Sequence, residues 1–220
     1  MAALLNAGDV SAIEARIRAL EARTGAEAVT AVVERSDRYH GLRWRAFAVG
    51  VALAALGFVV ADTLRPDWIT AHAGLFAAAT MLGAGLVCAL LATVWPAFER
   101  LFLQRERAEA EARQRAKALF LEREMFATPG RNAVLLFASR YERAAVVLGD
   151  RGYDGRIAAN DWQRVVEAMT PPFHGGDVRG AFIAGLDALE ALLVEKGFRP
   201  DGAARNALPD RPLEPTDDHA

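Results

Sequence analysis

Two stretches of the chain carry no alternation between apolar and polar positions. From Ala46 to Ala61 the sequence AFAVGVALAALGFVVA passes sixteen residues without a charge, and Trp44 and Leu64 extend the run toward the ~20 residues that a bilayer-crossing helix needs. From Ala73 to Phe98 a further twenty-six residues are uncharged, with Trp68 and Trp95 near the ends, where amphipathic rings favour a membrane interface. These runs predict two membrane-spanning helices, about 44–64 and 73–96, joined as a hairpin. Gly50, Ala54, Gly57, Gly74, Ala78, Gly83 and Gly85 recur along them, so the two backbones are expected to approach closely. The same small faces leave a homo-oligomer open.

Elsewhere the pattern is that of a water-soluble fold. Ser11 and Glu14 have capping-box spacing, and Ile13, Ile17 and Leu20 follow at helical spacing until Thr24-Gly25, which predicts an amphipathic helix. Glu27 to Glu34 is rich in β-branched residues and predicts a strand. Pro96 to Phe126 reads as one long helix with a charged middle, closed by Thr128-Pro129-Gly130. Ala133–Ser139 and Ala144–Leu148 read as two strands of an antiparallel hairpin, with Glu142 and Arg143 in its connection set to form a cross-strand pair. Asn160 with Gln163 suggests a second capping box, with Trp162, Val165, Val166 and Met169 on one helical face. Phe182, Leu186, Leu189 and Leu193 mark a closing helix from about Asp177 to Gly197. Pro209, Pro212 and Pro215 punctuate a tail unable to sustain a core, expected to drape over the domain or stay disordered.

Composition sharpens this picture when sorted by position. Of the 54 charged residues (26 Lys+Arg and 28 Asp+Glu), three lie between Ala46 and Phe98, so 53 residues hold 3 charges and the other 167 hold 51. The expected organisation is therefore an α/β sandwich interrupted by a transmembrane hairpin. Residues 1–43 form its N-terminal part, 44–98 the hairpin, 99–199 its C-terminal part and 200–220 the tail. A net charge of -2, with acids and bases interleaved, gives no basic stripe for nucleic acid. The single cysteine, Cys88, excludes an intrachain disulfide. The start lacks a basic n-region and does not read as a secretory signal. Arg35, Arg38, Arg43 and Arg45 precede the first run, and Arg100, Arg105, Arg107, Arg113 and Arg115 follow the second, against Arg65 alone in the loop. By the positive-inside rule both termini and the soluble domain are expected on the cytoplasmic side, with the loop outside. The partners so implied are the lipid bilayer and other membrane proteins.

Three segments carry a family resemblance. EARTGAEAVTAVVE (Glu21 to Glu34), AVLLFASRYERAAVVLGDRG (Ala133 to Gly152) and PPFHGGDVRGAFIAGL (Pro171 to Leu186) together resemble TPM-domain proteins. That family is named for thylakoid-lumen acid-phosphatase-like and photosystem II repair proteins and an animal receptor auxiliary subunit. The pattern is similar to its bacterial membrane proteins, which carry the spans inside the domain and end in N-x-L-P-D, here Asn206 to Asp210. The resemblance implies a TPM-like α/β sandwich with its hairpin in a bacterial inner (cell) membrane. It also implies the calcium binding or phosphate-ester hydrolysis of some relatives. Where the family's common form has a G-Y-G-L-E-G turn after the hairpin, this chain has Gly149-Asp150-Arg151-Gly152-Tyr153-Asp154-Gly155, without a clear counterpart of the glutamate.

Candidate chemistry gathers at that turn. Asp150 and Asp154, with Asp161 beyond, offer the hard oxygen ligands that Ca2+ or another divalent cation takes. Aspartate with glycine is also ordinary turn chemistry, the favoured reading here, and Asp161 suits the first turn of a helix better than a ligand set. A phosphatase would need a nucleophile or activated water, an acid and cations. Asp150, Asp154, Arg151 and Arg156 are the residues available, with His174 and Asp177 as further candidates, but no recognised nucleophile motif is present. His40, His72 and His219 share no ligand spacing. Two functions stand: a noncatalytic membrane-anchored module for interaction with, or assembly and turnover of, membrane proteins, and a divalent-metal-dependent phosphatase using residues 149–155.

Overall fold

Alternate residues of the three strands face two different apolar layers, which is why the strand sequences read as nearly unbroken hydrophobic runs. A computed structural model describes residues 4–36, 40–64, 72–95, 97–98, 101, 105–200 and 208–215. Arg38, Arg65, Trp68, Pro96, Arg100, Asn206 and His219 lie outside them. The described elements are α1 (Ala7–Thr24), β1 (Glu27–Val33), α2 (His40–Leu64), α3 (Ala73–Val94), α4 (Arg105–Glu122), β2 (Ala133–Ser139), β3 (Ala144–Gly149), α5 (Ala159–His174) and α6 (Val178–Glu195). They divide into two compact units, Met1–Asp37 with Glu106–Ala220, and Arg38–Arg105.

In the first unit the sheet has the order β1-β2-β3. β1 pairs with β2 in parallel, Ala31 opposite Phe137, and β2 pairs with β3 antiparallel, Phe137 opposite Val146. Ala28, Val32, Val134, Leu136, Ala138 and Val147 meet α1, α5 and α6 on one face. Val29, Ala31, Val33, Leu135, Phe137 and Val146 share the other face's core with Ala112, Ala116 and Leu119 of α4, which sit at helical i, i+4, i+7 spacing. This is the expected α/β sandwich, with all three strands where the β-branched runs place them.

Helix boundaries moved where a better cap competed. α1 begins five residues before Ser11 would start it, because Asn6 and Asp9 form a reciprocal box: Asp9 N–H donates to Asn6 Oδ1 at 2.9 Å and Asn6 N–H to Asp9 Oδ2 at 3.3 Å. α5 starts at Ala159 rather than after Asn160, since Asp161 Oδ2 accepts the Ala158 N–H at 3.0 Å. The helix expected over 96–126 is described as helix over Arg105–Glu122, and Glu124 at φ +50° ends it through the left-handed region that closes helices. The connection between β2 and β3 also differs. Glu142 does not pair with Arg143. Its carboxylate accepts from Ser139 Oγ and from Ser36 N–H (3.0 Å), while Arg143 turns the chain at φ +51°.

Residues 208–215 drape over the domain as expected, and their path is specific. Leu213 forms a one-residue parallel bridge with Ala31 on the free edge of β1, donating to Thr30 O at 2.8 Å and accepting from Val32 N–H at 2.9 Å. Pro209, Pro212 and Pro215 have no N–H to extend that ladder.

The second unit holds α2 and α3, each long and apolar enough to cross a membrane. Their large side chains point outward, with Leu53 63%, Phe76 65% and Leu86 57% exposed. The close approach expected from small residues occurs at Gly50 and Gly85. A Cβ on Gly50 would lie 2.7 Å from Ala84 O and 2.9 Å from Cys88 Sγ, and one on Gly85 would lie 2.7 Å from Val51 Cγ2. Gly57, Gly74 and Gly83 face open space and take no part in it. A disulfide places the Cβ of one residue about 3 Å from the sulfur of the other. Gly50→Cys is therefore expected to cross-link to Cys88 nearly completely under mild oxidation, after the helices part by a few tenths of an ångström, whereas Gly57→Cys stays reduced. Thiol counting by maleimide mass shift reads the difference, and equal behaviour of the two variants refutes the helix pairing.

Candidate functional site

The acidic turn is built by the end of β3. Asp150 N–H donates to Ala133 O at 2.9 Å, which continues the sheet one residue past Gly149. The Asp150 side chain then caps the 3-10 turn Arg151–Tyr153, its Oδ1 accepting the Arg151 N–H at 2.7 Å. Arg131, on the segment leading into β2, donates through Nη2 to Oδ1 at 3.0 Å. Its Nε lies 2.9 Å from Oδ2, off the hydrogen-bond line, so Oδ2 is buried with a charge contact and no hydrogen bond. Asp150 is 6% exposed, and its charge is met by a guanidinium that is itself half in water.

The glycines of the turn answer to packing. A Cβ on Gly152 would fall 2.4 Å from Arg131 O, and one on Gly149 would fall 2.5 Å from the Trp162 ring. Gly155 holds φ +75°, a conformation that favours glycine. Tyr153 is buried between them. Its hydroxyl donates to Asn132 O at 2.6 Å and its ring meets Trp162 edge-on with centroids 5.5 Å apart. Burial first, then the carboxylates of Asp150 and Glu27, push its phenol well above the usual range. Asp154 follows as the exposed end of the 3-10 turn.

The remaining candidates are placed apart in role. Asp161, in the first turn of α5, bonds Lys196 Nζ at 2.8 Å and Arg164 Nη2 at 2.7 Å as well as the Ala158 amide. Lys196, then the amide and Arg164, hold its carboxyl well below the ordinary carboxylate range. Arg151 is exposed. His174, the last residue of α5, approaches Arg143 O through Nε2 at 3.2 Å. Asp177 caps α6, its Oδ1 accepting the Gly180 N–H at 2.7 Å. Among the described residues no group of three or more His, Cys, Asp or Glu side chains is gathered as a metal site. Asp150 and Asp154 share one turn, whereas Asp161 is committed to its own cations.

Two residues that sequence reasoning passed over organise this region. Arg131 and Asn132 stand between the Thr-Pro-Gly break and β2, where they read as loop. Arg131, at φ +50°, supplies the cation for Asp150. Asn132 binds Gly25 O through Nδ2 and Tyr153 through its carbonyl, tying the end of α1 to the turn. A polar pair flanking a strand start opposite an acidic strand end was the available signal.

A three-stranded mixed sheet with helices on both faces and an acidic turn after the β2–β3 hairpin defines a TPM-like α/β domain. The TPM domain model matches residues 101–192, in keeping with the resemblance of the motifs. The match covers α4 to α6, while β1, which completes the sheet, lies before it. The structure is also similar to the NMR structure of the BA42 protein from the psychrophilic bacterium Bizionia argentinensis, with 15% identity, 98% of each chain covered and a TM-score of 0.59. At that identity the likeness concerns the fold. No curated protein matches the chain.

Proposed function

We propose that this protein is a membrane-anchored TPM domain that works without catalysis, as an interaction module in the assembly or turnover of other membrane proteins. The observation that carries this reading is the commitment of the acidic groups. Asp150 is matched by Arg131 and the Arg151 amide, and Asp161 by Lys196, Arg164 and the Ala158 amide. A charge already neutralised within the fold must give up those partners before it serves a metal or a phosphate. Anchoring is supported by two apolar helices whose large side chains face outward, a surface suited to lipid. The Arg excess on both flanks of the hairpin favours cytoplasmic termini in a bacterial inner membrane, and a reporter fused after Ala220 tests that orientation.

The rival reading, a divalent-metal-dependent phosphatase, draws on one observation. Asp150 Oδ2 is buried without a hydrogen bond beside the exposed Asp154, and Arg131 could swing outward to admit calcium or a similar ion. Purified full-length protein in nanodiscs decides between them. We expect no hydrolysis of p-nitrophenyl phosphate above the protein-free rate with Ca2+, Mg2+ or Mn2+, together with cross-linking in native membranes to a membrane protein other than itself. Metal-dependent turnover abolished by Asp150→Ala with Asp154→Ala would establish the phosphatase, and capture of self-contacts alone would refute the interaction module.

A further inference from the structure

The free edge of β1 is seven residues long, apolar on both faces and buried, the kind of edge that templates pairing with another chain unless something covers it. Leu208–Pro215 lies along it. Besides the Leu213 bridge, Leu208 N–H donates to Glu27 Oε2 at 3.2 Å, Asp210 meets Arg18 at 3.4 Å, and Glu214 accepts from Leu4 N–H at 3.0 Å and Leu5 N–H at 3.3 Å. A cleft of about 680 Å³ remains between the start of α1 and this segment, so it does not lie flush on the helix.

Three carboxylates meet where the segment begins. Glu21 near the end of α1 accepts the Ala28 N–H at 3.0 Å. It faces Glu27 of β1 and Asp210 of the segment, and Arg18 of α1 stands as the cation beside them. We propose that Leu208–Pro215 is a displaceable strap over the β1 edge, released when Glu21 loses its proton. The Arg18 guanidinium already meets two carboxylates, Asp210 at 3.4 Å and Glu14 at 3.9 Å. Ionised Glu21 adds a further negative charge beside Glu27 and Asp210, and the carboxylate that can leave is Asp210, which departs with the strap and admits water. Burial, then Glu27 and Asp210, push the Glu21 carboxyl up to about 7 against the Ala28 amide and Arg18. The sign follows from linkage: docking that raises an acid's pKa is favoured by the protonated form and weakens as pH rises toward and through the raised value. The strap is thus held most tightly in acid and loosens progressively as pH approaches neutrality, where β1 becomes available to an added strand.

Hydrogen exchange on the full chain in nanodiscs tests this at two amides, Val32 and Leu213, which exist as donors only in the strap's bridge. After correction for intrinsic rates, their protection should fall by up to about tenfold per unit as pH rises from acid toward about 7 and level off above it, while the amides of β2 stay protected. Glu21→Gln keeps an acceptor for Ala28 and should make the protection independent of pH. Asp210→Asn, which alters only the strap, should flatten the same slope. A flat profile in the native protein, or an unchanged slope in Glu21→Gln or Asp210→Asn, overturns the proposal.

Discussion

Phe137→Ala is expected to cost the soluble unit about 3–5 kcal/mol, the range for removing a fully buried aromatic side chain. Phe137 is 0% exposed on the central strand, with Ala31 and Val146 as its neighbours across the sheet. The layer it fills is closed above by small residues, Ala112 and Ala116 of α4, which have no side chain able to collapse into the space left behind. At roughly 2–4 °C per kcal/mol for a unit of this size, thermal unfolding followed by circular dichroism should shift down by roughly 6–20 °C. Leu121→Ala, at a position 63% exposed, serves as the control and should change stability by no more than about 0.5 kcal/mol. Equal shifts for the two variants would mean that the β2 layer is not the core of the unit.

The strands were legible because each is buried on both faces, and burial on both faces leaves a local signature of unbroken Val, Leu, Ala and Phe. Local sequence carried the β2–β3 hairpin but not the pairing of β1 with β2. β1 and β2 are parallel neighbours on either side of a hairpin-length insertion, a relation set by long-range contacts rather than by residues near either strand. Helix starts misread for a different reason. Ser11 and Glu14 have the right spacing, but Asn6 with Asp9 offers an earlier box of the same strength, and the helix takes the longer form because it then also orders Ala7 to Val10. The small residues of the hairpin show the same limit. Composition marks seven of them, and only the geometry separates Gly50 and Gly85, which touch the opposite helix, from Gly57, Gly74 and Gly83, which do not.

At the candidate site the sequence pattern named the carboxylates and missed their partners. Asp150, Arg131 and Asn132 are brought together because β2 and β3 are antiparallel, so the residues before one strand stand beside those after the other. Asp161 read more readily as a helix-start residue than as a ligand, and its position at the third residue of α5, facing the Ala158 amide, shows that role in use. Lys196 could not be anticipated, since it reaches Asp161 from the end of α6.

Asp150→Ala should lower the stability of the soluble unit by about 2–3 kcal/mol. A charge-assisted hydrogen bond contributes about 1.5–3 kcal/mol and a capping side chain about 1 kcal/mol, and both are lost. The sum is moderated because Arg131 is 44% exposed and turns to water instead of remaining a buried unpaired cation. Asp150→Asn keeps the acceptor for the Arg151 amide and should lose about half as much, whereas the exposed Asp154 tolerates alanine within about 0.5 kcal/mol. These losses distinguish a structural turn from a metal cradle when the melts are repeated with calcium. An ion bound by Asp150 and Asp154 would stabilise the native state in proportion to the logarithm of its concentration, would do so less in either alanine variant, and would have to displace Arg131 first. A guanidinium already seated on Asp150 should instead leave the native melting temperature unchanged from chelator to millimolar calcium. Arg131→Ala then becomes the informative companion: it should destabilise the calcium-free protein yet make Asp150 available, so that calcium stabilises this variant alone if the turn has any ligand capacity of its own.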